Sequence, residues 1–344
     1  MDLFQKGWVV MQKDLASLVE MAKQYQGGIG VEQNLEKAFK LFQRAAEQGD
    51  AEAQYELGRC YANGEGVECD DVEAEKWFRE AAEQDHASAL FELATCYELD
   101  DREVNLLYRL AAEQGHVEAM RELGRRYDEG EWVEYAPEVA VYWYRQAVEQ
   151  GDIEAMFTLA QHYDEGNGVE YSPRKAVRWF REAAEQGYIE AMFELGRHYD
   201  EGKGVESSPE KAATCYREAA ELGHIEAMFE LGRCYEDGKG VETSPEKAVE
   251  WYRKAAENGD VRAQYLLGEC YRTGQGGVQS YEEAAKWYRL AAEESYLAAS
   301  YFLGMLYEKG LGVEQSTAEA IKWYRKAAIC GSTKARERLE ALQA

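Results

Sequence analysis

The chain has 344 residues, of which 66 are acidic and 39 basic, for a formal charge of −27. Such a surface repels nucleic acid and anionic membranes and makes a basic protein the natural partner. No apolar run approaches the ~18 residues of a membrane span; the start, MDLFQKGWVVM, has an acid where a signal peptide needs positive charge; and seven cysteines, an odd number, fit a reducing compartment, so a cytoplasmic location is expected.

In chain order, residues 1–13 are read as a partial helix capping the N-terminal end, with Trp8, Val9 and Val10 covering core. Units follow at about 14–49, 50–85, 86–115, 116–151, 152–187, 188–223, 224–259, 260–295 and 296–331. Their closing Ala-Ala pairs start at Ala45, Ala81, Ala111, Ala183, Ala219, Ala255, Ala291 and Ala327, with Ala147-Val148 as the variant. A fixed period of this size marks a repeat array. Because each unit buries itself only against its neighbours, the whole chain, 1–344, counts as one domain. The first unit is degenerate, with Met21-Ala22 where others carry Leu-Gly. The third is short: around Leu99-Asp100-Asp101 it lacks the six residues that hold the loop glycines. The fourth places Trp132 where others have the second loop glycine, so regular stacking should be disturbed near residues 97–135, as a landing place for a partner, a bend, or harmless drift. The eighth shifts its loop to Gly274-Gln275-Gly276-Gly277. Residues 332–344 form a polar half-helix cap, in which Ala335 and Leu339 continue the core while Lys334, Arg336 and Arg338 face water.

Within residues 188–223, Ala191, Leu195 and Tyr199 stand four apart, one stripe of a first helix. Gly202 and Gly204 end it, and Ser208-Pro209 opens a second helix as N-cap and first-turn proline. The second helix returns Ala212, Tyr216 and Ala219/Ala220 onto the first, and the column of Gly58, Gly124, Gly196, Gly232, Gly268 and Gly304 lets the backbones approach. Trp77, Trp143, Trp179, Trp251, Trp287 and Trp323 share a column and read as core spacers. The recurring pattern, seen at Ala227, Leu231, Gly232, Tyr235, Gly238, Gly240, Val241, Lys247, Ala248, Trp251, Tyr252, Ala255, Ala256 and Gly259, resembles the Sel1-like repeat, a relative of the tetratricopeptide repeat. The resemblance covers about residues 15–331. It implies an all-α, right-handed α/α superhelical solenoid of about nine helix-turn-helix repeats that binds proteins or peptides, usually without catalysis.

Chemistry is thinly signalled. The glycine loops follow helices and lack phosphate-loop spacing. Their acids, such as Asp200, Glu201 and Glu206, lack the alternation of a calcium loop. Cys60, Cys96, Cys234 and Cys270 share a column with His162 and His198; same-column residues about 8–10 Å apart are too distant for a disulfide or a shared zinc. Departing from the paired cysteines of secreted Sel1-like proteins, these read as packing residues. His86, His116 and His224 occupy helix starts and read as solvated. The arginine column Arg79, Arg109, Arg145, Arg181, Arg217, Arg253, Arg289 and Arg325 has, except at Arg325, a glutamate four residues on, as in Arg181–Glu185, and reads as a self-paired helix face. No cofactor, metal, catalytic residue or small-molecule substrate is implied.

One stripe points to binding. Glu190, Phe193, Arg197 and Asp200 fall at i, i+3, i+7 and i+10, off the core stripe. In tetratricopeptide arrays, which the chain resembles, these columns line a concave groove. The aromatic column runs Tyr55, Phe91, Phe157, Phe193, Phe229, Tyr265, Tyr301, broken by Arg121. Around it, over repeats four to seven, stand Glu118, Asp128, Glu154, Asp164, Glu190, Asp200, Glu226 and Glu236 against Arg121, Arg125, Arg197 and Arg233, a net of −4. The rings either anchor a partner or pack between neighbouring first helices. The expectation is a scaffold or adaptor whose acidic, aromatic-lined groove holds a basic, partly apolar protein segment, with Trp132 as an irregular-loop contact. Removal of Phe157, Phe193 and Phe229 should then abolish capture and leave helical content intact. The alternative is an inhibitor or immunity-type protein covering a cationic toxin or enzyme.

Overall fold

A computed structural model describes residues 3–329 and 331–343, with side chains from residue 14 onward. The described residues are helices joined by turns, with no strands. They divide into two compact units, 1–171 and 172–344. The first holds α1 (Leu3–Gly27), α2 (Leu35–Ala46), α3 (Ala51–Asn63), α4 (Asp71–Ala82), α5 (Ala87–Cys96), α6 (Asp101–Glu113), α7 (Val117–Glu129), α8 (Pro137–Glu149) and α9 (Ile153–Glu165). The second holds α10 (Pro173–Glu185), α11 (Ile189–Glu201), α12 (Pro209–Glu221), α13 (Ile225–Asp237), α14 (Pro245–Glu257), α15 (Val261–Thr273), α16 (Tyr281–Glu293), α17 (Leu297–Lys309), α18 (Thr317–Ile329) and α19 (Thr333–Gln343). Within each unit every helix packs on the next. Odd-numbered helices are the first helix of a repeat, here A, and even-numbered ones the second, B.

Local chemistry sets the boundaries. In α11 the backbone turns left-handed at Gly202, φ 70°, whose N–H returns to the His198 carbonyl and closes the last turn. The Ser208 and Ser244 hydroxyls accept from the backbone N–H groups of Lys211 and Lys247, and a proline occupies the next position. The core follows the anticipated stripes: Ala191, Leu195 and Tyr199 are buried against Ala212, Tyr216 and Ala219.

Several details differ from expectation. The helical glycines admit an aromatic ring, not a backbone. A Cβ on Gly196 would stand 2.7 Å from the Tyr216 ring, and Gly58, Gly124, Gly232, Gly268 and Gly304 face Phe78, Tyr144, Tyr252, Tyr288 and Tyr324 likewise. Those rings, not the tryptophans, are the large core pieces: Tyr252, Tyr288 and Tyr324 are wholly enclosed, whereas of the tryptophan column only Trp323 is buried. In α1 the buried face is Leu15, Val19 and Ala22, and Met21 points to solvent, so the degenerate first repeat is rotated from the common register. The eighth loop is not shifted, since Gly274 and Gly276 take the same left-handed turns, φ 80° and 71°, as Gly238 and Gly240. The α1 backbone runs through the expected N-terminal cap, but the cover assigned to Trp8, Val9 and Val10 lies outside the described residues. At the other end α19 buries Ala335, half-buries Leu339 and exposes Lys334, Arg336 and Arg338 as expected.

The arginine column also goes elsewhere. Its guanidinium groups reach forward to the A-helix tyrosine of the following repeat: Arg109 to Tyr127 (3.2 Å), Arg145 to Tyr163 (2.9 Å), Arg181 to Tyr199 (3.1 Å), Arg217 to Tyr235 (3.5 Å), Arg253 to Tyr271 (2.8 Å), and Arg289 to Tyr307. Six of the eight therefore form a ladder that ties a B helix to the next A helix, eighteen residues on, while Arg79 pairs with Glu75 (2.8 Å) and Glu103 (3.4 Å).

Candidate functional site

The A-helix stripe begins with its rings. Tyr55 lies 5.9 Å from the Phe78 ring of its own B helix and stacks at 4.7 Å on His86 of the next repeat. Phe91 repeats this with Tyr108 and His116 (4.4 Å), and Phe193 with Tyr216 and His224 (4.5 Å). Phe229 faces Tyr252 and takes the Arg262 guanidinium over its ring at 4.2 Å. Tyr265 lies between Tyr288 and Tyr296, and Tyr301 packs on Tyr324. All are half-buried except Phe229, which is buried; Phe157 is half-buried too. The faces of Tyr55, Phe91 and Phe193 are thus used to join repeats. Where Arg121 interrupts the column the joint becomes ionic, with Asp152 at 2.5 Å and Glu154 at 3.2 Å.

The helix-start histidines are therefore not solvated. His86, His116 and His224 are about 15% exposed, and Nδ1 of each accepts the N-cap hydrogen bond from Ala89, Ala119 or Ala227. Burial pushes the His116 imidazole below its ordinary value. The His86 Nε2 stands 2.9 Å from Glu52. Hydrogen bonds from His86 and Lys23 hold that carboxyl down to about 2.

The flanking charges divide into three groups. Glu118, Glu154, Glu190 and Glu226 are exposed beside the rings. Asp128 turns toward the chain, meeting His162 Nε2 and the Asn167 amide, each at 3.2 Å. Asp200 takes Lys239 at 2.6 Å, and Glu236 accepts from the Tyr252 hydroxyl at 2.6 Å. Asp164 is half-buried in the same column. These acids brace loops and neighbouring helices. The arginines are answered from within their own helix, by a glutamate three residues earlier: Arg125 by Glu122 (2.7 Å), Arg197 by Glu194 (3.1 Å) and Arg233 by Glu230 (3.2 Å).

That glutamate column, with Glu56 in repeat two and Glu92 in repeat three, is absent from the sequence-level stripe. Its signal is present as the i, i+3 Glu–Arg spacing. Glu122, Glu194 and Glu230 are roughly a quarter exposed and Glu56 is buried, and burial raises the Glu56 and Glu230 carboxyls above the usual range. Adding Glu122, Glu194 and Glu230 takes the net over repeats four to seven from −4 to −7. Trp132 stands apart from these columns, on the loop after α7, 61% exposed.

The fold and its repeated cross-braces define a helix-pair repeat protein. The Sel1 repeat family matches residues 15–50, 51–86, 106–116, 117–152, 153–188, 189–224, 225–260, 261–296 and 297–332. The chain belongs to the Sel1 repeat family, whose members generally mediate protein–protein interaction and are generally non-catalytic. Among solved structures it is similar to a protective antigen with an SLR fold from uropathogenic Escherichia coli, at 30% identity and a TM-score of 0.74, covering 98% of this chain and 82% of that one. It is also similar to a Sel1 repeat protein from Oxalobacter formigenes, at 30% identity and TM-score 0.71, covering 88% and 89%. No curated protein matches.

Proposed function

We propose that this chain is a non-catalytic cytoplasmic scaffold or adaptor whose A-helix face holds a basic, partly apolar segment of another protein. The observation that carries this reading is the exposed pair Glu190 and Glu226 on successive A helices of the second unit, beside the half-buried Phe193 ring. Arg197 and Arg233, the arginines of that stripe in the second unit, already have glutamates of their own, Glu194 and Glu230. An incoming lysine or arginine therefore meets carboxylates without having to displace a bound cation, and its aliphatic stem lies along the Phe193 ring.

The experiment measures the affinity of a synthetic peptide of alternating arginine and leucine for the full chain. Glu190→Gln with Glu226→Gln should weaken it about tenfold at low salt and flatten its salt dependence. Unchanged affinity in that variant overturns the reading. Alanine at the ring positions is the poorer probe, because Phe193 and Phe229 also join repeats.

A further inference from the structure

The short third repeat leaves something uncovered. In a full repeat the second loop glycine lies against the first turn of the preceding B helix: Gly66 on Leu35, Gly168 on Pro137, Gly204 on Pro173, Gly240 on Pro209. A Cβ at any of them would enter that carbonyl. The third repeat has no such glycine, so nothing of this kind covers the start of α4 at Asp71. In its place is a cleft of about 440 Å³. The Phe78 and Tyr97 rings, edge to face at 6.2 Å, are among its walls. So are three carboxylates, Asp71, Glu92 and Glu98, and the Cys96 thiol, with no lysine or arginine among the lining residues. Burial, followed by the neighbouring Asp71, Glu75 and Glu92 carboxylates, pushes the Tyr97 hydroxyl up to about 12.

Trp132 flanks the same turn from the other side. It occupies the second-glycine position of repeat four with φ 60°, a left-handed conformation costly for a bulky residue. The Asn105 amide of α6 holds its carbonyl at 3.3 Å and the Asp101 carbonyl at 2.7 Å. Through Asn105 the Trp132 backbone is tied to the start of α6, the helix that follows the shortened loop. The indole is nonetheless exposed and adds little packing in return for the strain.

We propose that this cleft takes an arginine or lysine side chain of a protein partner, with an adjacent apolar residue of the same segment lying on Trp132. The cation would sit beside the half-buried Tyr97 ring among three carboxylates, which satisfies it by charge and by aromatic contact together. The site does not include Glu190 or Glu226 but rests on the same reading of a basic, partly apolar partner.

The test uses the full chain in a Cys69→Ser background and follows alkylation of Cys96 by N-ethylmaleimide, by mass spectrometry, with and without the arginine–leucine peptide. The peptide should slow Cys96 alkylation about tenfold, and a glutamate–leucine peptide should not. Asp71→Asn with Glu98→Gln should abolish the protection. Trp132→Gly should weaken it while raising the melting temperature. Absence of protection up to about 1 mM peptide, or protection that survives Asp71→Asn with Glu98→Gln, overturns the proposal. Protection lost only in Glu190→Gln with Glu226→Gln also overturns it, and leaves the A-helix reading standing.

Discussion

At the residue scale, a cap and a stack share one side chain. His116 accepts the first-turn N–H of α7 through Nδ1 and covers the Phe91 ring, and both arrangements suit the neutral imidazole. Its folded pKa is depressed, so its contribution to stability is complete above the unfolded value of about 6.5. That contribution declines as pH falls toward the folded value and is constant below it. Between pH 7 and 5 the melting temperature should fall, and His116→Asn, which keeps a capping oxygen, should flatten that slope; an unchanged slope would refute the assignment. Glu52, held at about 2, works in a lower window: its contribution is full above the usual carboxylate value and lost as pH drops toward 2. For the rings, Phe193→Ala removes contacts with both Tyr216 and His224 and should cost about 2 kcal/mol, read as a shifted urea midpoint.

At the scale of the element, the loop between A and B helices carries the contrast between a required glycine and a tolerated tryptophan. Gly204→Ala places a Cβ against the start of α10 at Pro173 and strains a φ of 73°, so it should destabilise by more than about 2 kcal/mol. Trp132→Gly is the same exchange in reverse at the equivalent position. It relieves a φ of 60° and forfeits an exposed ring, so it should stabilise by about 1 kcal/mol in the same urea titration. A gain in stability joined to a loss of peptide protection at Cys96 is the signature of a residue kept for binding at a structural cost. The arginine–tyrosine ladder belongs to this scale too. Tyr235→Phe deletes one rung without changing the core and should cost about 1 kcal/mol.

At the scale of the whole molecule, a charge of −27 sets two opposite responses to salt. Screening relieves self-repulsion and weakens attraction to a cationic peptide. Raising sodium chloride from about 0.02 to about 0.5 M should therefore raise the melting temperature while lowering peptide affinity. Affinity that does not fall with salt would remove electrostatics from the binding mode. Much of this molecule is legible in its amino-acid order. The 36-residue period, the Ser-Pro helix starts, the glycine stops and the Ala-Leu-Tyr core all rest on contacts within one helix or one helix pair, where a spacing of three or four residues identifies the partner. The charges at Glu190 and its column were visible for the same reason. What only the tertiary structure decided lies between units. It covers the ring faces with His86, His116 and His224, sends six of the arginines eighteen residues forward to a tyrosine, and ties the Trp132 carbonyl to α6 through Asn105. Those contacts depend on the rotation and offset of one helix pair against the next, which arise from packing and leave no periodic mark within a single repeat.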